Sequence, residues 1–213
     1  KVGSSVLTMD EDGQGSLKSQ ANLLSKKFNT VDRGPDDLVA LLYTSGTTGR
    51  SKGAMLTQNN LLSNAETLKT LWEVNEDDIL IHALPIFHTH GLFVAINTVL
   101  LAGAEINFLP KFEITEIIDA ISCSTLLMGV PTFYTRLLAD ERLTVNLAKK
   151  MRLFISGSAP LLAETHEEFT RRTGHHILER YGMTETNMIT SNPYNGDRRS
   201  GTVGKTLPDV EIK

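Results

Sequence analysis

Short apolar runs alternate with longer amphipathic ones from Leu38 almost to the end of the chain, and this rhythm constrains the fold more than any other feature. Residues 38–43, 79–84, 105–109, 125–128, 152–155 and 176–181 are strand-length and mostly apolar. Between them lie helical patterns. Thr57 is a plausible N-cap for a helix to about Trp72, with Leu61, Leu62, Ala65, Leu68 and Trp72 on one face. An apolar helix over 92–101 stops at Gly103, and further helices are predicted over 114–122, 132–140 and 161–172. Strand–helix alternation of this kind predicts an α/β fold, a largely parallel sheet covered by helices. In such sheets ligands bind at the C-terminal ends of the strands.

The strand ends therefore form a set: residues 44–52, 85–91, 129–132, 156–160 and 182–186. Each is rich in Gly, Pro and small hydroxyl residues, and five loops converging on one cleft are expected. The first carries the clearest chemistry. Thr44, Ser45, Thr47 and Thr48 supply hydroxyls, Gly46 and Gly49 free the backbone to turn N–H groups toward an anion, and Lys52 adds a point charge. A P-loop would join Gly and Lys directly, whereas Arg50 and Ser51 separate Gly49 from Lys52, so a different phosphate loop is expected. A flexible surface linker would share the composition, but not the apolar strand feeding into it.

With 213 residues, 40% of them hydrophobic, a substantial core is available. A net charge of -4 and the lack of any basic run give no footprint for nucleic acid. The single cysteine, Cys123, reads as an inert core thiol, and one cysteine allows no disulfide within the chain. No apolar run approaches the ~18 residues of a membrane span, and the start is unlike a signal peptide, so a cytosolic or organelle-matrix location is the default expectation. Residues 1–37, with a β-like run over 5–9, a turn, and a short helix bearing Leu17, Ala21 and Leu24, read as the end of a preceding subdomain and a connector. Residues 38–190 read as one α/β subdomain that carries the converging loops, and 191–213 as the start of a β-rich segment. No initiating Met and an end in strand-like sequence suggest a piece of something longer. Metal-ligand spacings such as His-Glu-x-x-His are absent from the sequence.

Two long motifs, Tyr43-Thr44-Ser45-Gly46-Thr47-Thr48-Gly49-Arg50-Ser51-Lys52-Gly53 and Tyr181-Gly182-Met183-Thr184-Glu185, stand in order with Ser156-Gly157-Ser158-Ala159-Pro160 between them. A Gly201-Thr202-Val203-Gly204 segment follows. Together they resemble the adenylate-forming superfamily, which includes acyl-CoA synthetases, firefly-type luciferases and peptide-synthetase adenylation domains. The resemblance implies attack of a carboxylate on the α-phosphorus of ATP, giving an acyl-adenylate and pyrophosphate, followed by thioester formation with coenzyme A. It assigns the 44–52 loop to the β- and γ-phosphates, with Lys52 a phosphate ligand, and Glu185 to Mg2+, since this ion usually takes one or two protein carboxylates beside phosphate oxygens. Thr184 would bond the α-phosphate and Tyr181 would stack on adenine opposite Gly157, Ser158, Ala159 and Pro160. Glu179, Gly182 and Met183 belong to the same nucleotide-binding set. His88 would gate the acyl and pantetheine sites. Read without the resemblance, Thr184-Glu185 could be a helix N-terminus and Gly-Ser-Ala-Pro an ordinary turn.

The same resemblance places the acyl pocket among the loops after the 79–84 and 125–128 strands and around the Thr-Glu motif. Those segments offer His88, His90, Arg136, Arg180 and Met188, where a fatty or aryl acid would want apolar side chains. A buried guanidinium is costly without an anion and pairs bidentately with a carboxylate, so a second carboxylate on the substrate is expected. In wording, Phe87-His88-Thr89-His90-Gly91 and Glu179-Arg180-Tyr181 are similar to malonyl-CoA synthetases, the branch that takes malonate. The alternatives are Arg180 paired with Glu179, Arg136 in solvent, His90 as a bonded core imidazole, and His175 and His176 as capping or surface residues. They would leave a ligase for a medium-chain or aryl acid, or a nucleotide-binding module without catalysis. The family's ribose-binding Asp and C-terminal lid are not in the sequence, and Asp209 follows Pro208 too closely to replace the former. A stretch without that lid is expected to turn over little.

Overall fold

The computed structural model describes residues 5–10, 12–44 and 51–213. The chain divides into two compact units, residues 1–33 and 34–213.

In the first unit helix α1 (Ser16–Ala21) follows a turn in which Asp10 Oδ1 accepts from the Gln14 N–H at 2.7 Å. Residues 5–9 form no strand. Thr8 bonds instead to Ser16 and Leu17, with its N–H on Ser16 Oγ at 2.8 Å and its carbonyl on the Leu17 N–H at 3.1 Å. Val6, Leu7 and Met9 stay exposed, so this β-like run has no apolar face to bury and no ladder to join.

The second unit opens with strands β1 (Leu38–Thr44) and β2 (Lys52–Thr57), which pair antiparallel with Leu42 opposite Ala54 and Thr44 opposite Lys52. The strand that leads into the predicted phosphate loop therefore belongs to a separate two-stranded sheet, not to the main sheet. Lys52 and Gly53 are in the return strand, which the Gly-rich composition disguised.

Thr57 caps helix α2 (Gln58–Leu71) in a reciprocal box: its Oγ1 accepts from the Asn60 N–H at 3.2 Å, and Asn60 Oδ1 accepts from the Thr57 N–H at 3.0 Å. Leu61, Ala65, Leu68 and the following Trp72 are buried, but Leu62 is 49% exposed, because one helical step turns it off that face. The main sheet is built from β3 (Ile79–His82), β4 (Glu105–Phe108), β5 (Leu126–Gly129), β6 (Leu153–Ser156), β7 (Leu178–Met183), β8 (Asn187–Ser191) and β9 (Lys205–Thr206). Its order is β4-β3-β5-β6-β7-β8-β9, parallel from β4 to β7 and antiparallel across β7, β8 and β9. The crossovers use a π-helical turn (His90–Ile96) running into α3 (Asn97–Leu101), then α4 (Ile114–Ile121), α5 (Pro131–Leu138) and α6 (Ala163–Thr173).

β5 and β6 are buried along their whole lengths, which is why they read as continuous apolar runs. Phe169 of α6 packs edge-on against Tyr134 and Phe154, with centroids 5.3 and 4.9 Å away. At the N-terminal ends of the strands Arg152 bridges to Asp78, which also accepts from Thr125 Oγ1 at 2.7 Å, while Arg152 Nη1 donates to the Trp72 carbonyl at 3.1 Å. This clamp leaves the opposite ends of β3, β5, β6 and β7 for loops. Cys123 is exposed, not a core thiol, since α4 ends before it and it falls in the turn leading to β5.

Candidate active site

Two contiguous cavities open where the parallel strands end. The first, of about 550 Å³, is walled by Leu84, Val130, Phe133 and Met188, with His88, His90, Arg180 and Thr184 among its polar residues. The second, of about 400 Å³, lies among Ala159, Pro160, Glu179, Tyr181, Gly201 and Val203. Ser158, Arg180 and Gly182 line both. Four of the five predicted loops thus meet at this place. The fifth reaches it at its near edge, where Thr44 Oγ1 donates to Glu185 Oε1 at 3.3 Å. Ser45, Gly46, Thr47, Thr48 and Gly49 lie outside the described residues, and Lys52 is exposed at the start of β2 and lines neither cavity.

Strand alternation decides what β7 presents to each side. Glu179 is buried and its Oε1 accepts from the Gly201 N–H at 3.1 Å and lies 3.4 Å from His166 Nδ1. Arg180, the next residue, projects to the other side and is 3% exposed. The two do not pair. Among the described residues Arg180 Nε and Nη2 have no hydrogen-bond partner, and burial pulls the guanidinium down to about 10, still charged at neutral pH. Tyr134 cannot serve as its counter-ion. Burial pushes this phenol up, keeping it neutral, and its hydroxyl donates to the Ile155 carbonyl at 2.5 Å. Gly157 makes room for Arg180: a Cβ there would stand 2.4 Å from the guanidinium carbon.

His90 is buried, with Nδ1 3.2 Å from Ser158 Oγ and no partner for Nε2 among the described residues. Burial first, then the charge of Arg180, holds its pKa well below the usual imidazole value, so at neutral pH it is an uncharged polar group in the cavity wall. Ser158 sits at φ 69, a left-handed conformation uncommon for a residue with a side chain. His88 is exposed, its ring tilted against that of Phe87 with centroids 4.5 Å apart.

Arg136 does not line the cavity. On α5, Phe133 and Leu137 face the core, which puts Arg136 outside, its guanidinium 4.3 Å from the Phe112 ring. Thr184 and Glu185 occupy the turn between β7 and β8, so the helix-start alternative is excluded and Glu185 is exposed at the cleft rim. His175 is half-buried, its Nε2 3.1 Å from the Ala148 carbonyl. Phe133, in the first turn of α5, and Gly201 and Val203 were not singled out as lining residues. For Phe133 the only signal was its place just after a strand end, and the 201–203 loop reaches the cavity through a fold contact that no local pattern announces. Among the described residues no three His, Cys, Asp or Glu gather in a metal-binding group, and no helix is long and apolar enough to cross a membrane.

Several known proteins are similar to this chain. The malonate–CoA ligase of Arabidopsis thaliana is 41% identical over 201 residues, covering 84% of this chain and 33% of the relative. ATP-bound MatB from Rhodopseudomonas palustris superposes with a TM-score of 0.93 at 62% identity, over 97% of this chain and 41% of that one. A malonyl-CoA ligase in a ternary product complex with methylmalonyl-CoA and AMP gives 0.78 at 38% identity, over 82% and 39%. The chain spans about a third of the length of the curated relatives it matches. The family model for the AMP-binding enzymes matches residues 1–213, and the chain belongs to that family.

Proposed function

We propose that the protein carrying this chain is an ATP-dependent acid–CoA ligase that activates malonate, through an acyl-adenylate, to malonyl-CoA with release of AMP and pyrophosphate. The observation that carries the choice of acid is Arg180, a buried, charged guanidinium with unused donors in the wall of a cavity that has no acidic side chain among its described lining residues. A cavity that holds a lone cation prefers a ligand bringing an anion. The relatives named for malonate and the ternary complex with methylmalonyl-CoA and AMP support the same reading.

In this reading the substrate's distal carboxylate accepts from Arg180 Nε and Nη2 as a bidentate pair, and neutral His90 and Ser158 supply further polar contacts without adding charge. The reacting carboxylate then points toward the second cavity, where Ala159, Pro160 and Tyr181 receive adenine, and Thr184, in the wall of the first cavity, donates to the α-phosphate. Lys52, at the start of β2, binds the leaving pyrophosphate together with the hydroxyl- and glycine-rich residues that precede it in the sequence. His88, at the mouth, screens the cavity until the thiol of coenzyme A enters. One exposed carboxylate, Glu185, at the rim fits an ion that is shared with phosphates and takes few protein ligands. Bound there, Mg2+ would neutralise phosphate charge.

The test is Arg180→Leu in the full-length enzyme, assayed by acid-dependent pyrophosphate exchange. Loss of a buried charge-assisted pair of about 3–5 kcal/mol lowers malonate kcat/KM by about 10²- to 10⁴-fold, while butyrate is unaffected or improves. Unchanged kcat/KM for malonate would overturn the dicarboxylate reading.

A further inference from the structure

We infer that Asn64 is a positioning residue for the acid cavity, acting through the main chain of Met188; this rests on the proposed reading that the first cavity holds the acid. Asn64 lies on α2, an element that contributes nothing to the lining of that cavity. Its side-chain amide nevertheless makes two bonds to one distant residue: Nδ2 donates to the Met188 carbonyl at 2.9 Å, and Oδ1 accepts from the Met188 N–H at 3.2 Å. A carboxamide satisfying both main-chain groups of one residue does what a neighbouring strand would do.

The sheet explains why a substitute is needed there. On one side Met188 faces Gly182 of β7. On the other side β9 pairs with Thr190 and Ser191 and the Leu207 N–H donates to the Ile189 carbonyl at 2.8 Å, so the ladder stops one residue short of Met188. The backbone around this point is irregular. The β7–β8 register shifts between Tyr181 and Gly182, Asn187 holds φ 53, and a Cβ on Gly182 would stand 2.1 Å from the Asn187 carbonyl oxygen and 2.5 Å from Met188 Cε. Strand pairing on one side leaves such a segment free to shift, and the Asn64 amide is what fixes it. The Met188 side chain it fixes is buried and forms part of the wall that also holds Arg180 and Thr184. Asn64 thereby sets the width of the cavity without touching its contents.

The experiment uses the full-length enzyme with Asn64→Ala, Asn64→Asp and Met188→Ala, and the Asn64→Ala/Met188→Ala double variant. Readouts are KM for malonate and for ATP by pyrophosphate exchange, and calorimetric titration of malonate in the presence of AMP. Asn64→Ala is expected to raise malonate KM and Kd about tenfold or more while ATP KM changes by less than about twofold, the scale of a sub-ångström misplacement in a site. Asn64→Asp keeps the acceptor for the Met188 N–H but sets an oxygen against its carbonyl, so it is expected to fold and to show the same split. In the Met188→Ala background the Asn64→Ala effect on malonate is expected to vanish. Equal rises in malonate and ATP KM, a loss of thermal stability with unchanged malonate KM in Asn64→Asp, or an undiminished effect in the Met188→Ala background would each overturn the inference. Failure of the unaltered enzyme to bind malonate at all would instead remove the reading on which it rests, and the inference with it.

Discussion

Replacing Gly157 by Ala tests the acid cavity without removing any charged group. The added methyl would sit 2.4 Å from Arg180 Cζ and Nη1 and 2.7 Å from Nε, against an ordinary contact of 3.4 Å or more, so the guanidinium must retreat by about 1 Å. Arg180 is buried, and the open space next to it is the cavity itself, so the displaced group moves into the substrate's place. Overpacking of this kind costs about 1–3 kcal/mol of stability. A 1 Å error at a recognition group costs about 10²-fold in rate, so malonate kcat/KM is expected to fall by about that factor, while butyrate, which has no distal carboxylate, falls far less. The assay is pyrophosphate exchange with both acids, repeated in an Arg180→Ala background. With the guanidinium gone the methyl meets nothing charged, and Gly157→Ala is expected to add almost no further loss. Equal losses for the two acids, or the same loss in both backgrounds, would refute the claim that Gly157 exists to admit Arg180.

Glu185→Ala is expected to lower Mg-ATP-dependent pyrophosphate exchange by about 10²-fold while leaving malonate Kd within about twofold; normal exchange would remove Glu185 from the nucleotide site. Asp78→Asn is expected to cost about 3–5 kcal/mol in denaturant unfolding, because it leaves the half-buried Arg152 without its anion. Burial pushes the Asp78 carboxyl up, but the bonds from Arg152, the Asn75 N–H and Thr125 outweigh it and hold the folded pKa below the usual value. Its contribution is therefore present above the unfolded pKa of about 4 and lost as pH falls through the lower folded value, so the unaltered protein should lose stability on acidification below about pH 4 more steeply than Asp78→Asn. Thr57→Ala removes the α2 cap and is expected to cost about 1 kcal/mol, read as a lowered Tm.

Fold and motifs were legible where local chemistry and tertiary setting agree. Runs such as Leu126-Leu127-Met128 and Phe154-Ile155 announce buried parallel strands because burial on both faces leaves no polar alternation. Thr57 with Asn60 announces the α2 start because the cap is made by its own neighbours. The β1–β2 pairing was not legible, since a glycine- and hydroxyl-rich loop followed by Lys52 and Gly53 looks like loop throughout, and only a partner strand makes it extended. Leu62 was misplaced by a single step of helix geometry, the smallest error that reverses a residue's exposure, and Cys123 by the end of α4, which leaves it in the turn before β5.

The site divides along the same line. Adjacency in sequence made Glu179 the natural partner for Arg180, yet on a strand adjacency guarantees opposite faces, so the carboxylate that could have neutralised the guanidinium is turned to Gly201 and His166. Arg136 illustrates the converse. Its type was right for an anion, but the helical phase that buries Phe133 and Leu137 points it at Phe112 instead. Residue type therefore marked the chemistry of the cleft, while the phase of each element decided which of the two arginines faces it. Among the described residues Arg180 is left as the one buried guanidinium in the cavity wall, and on it the proposal of a dicarboxylic acid rests.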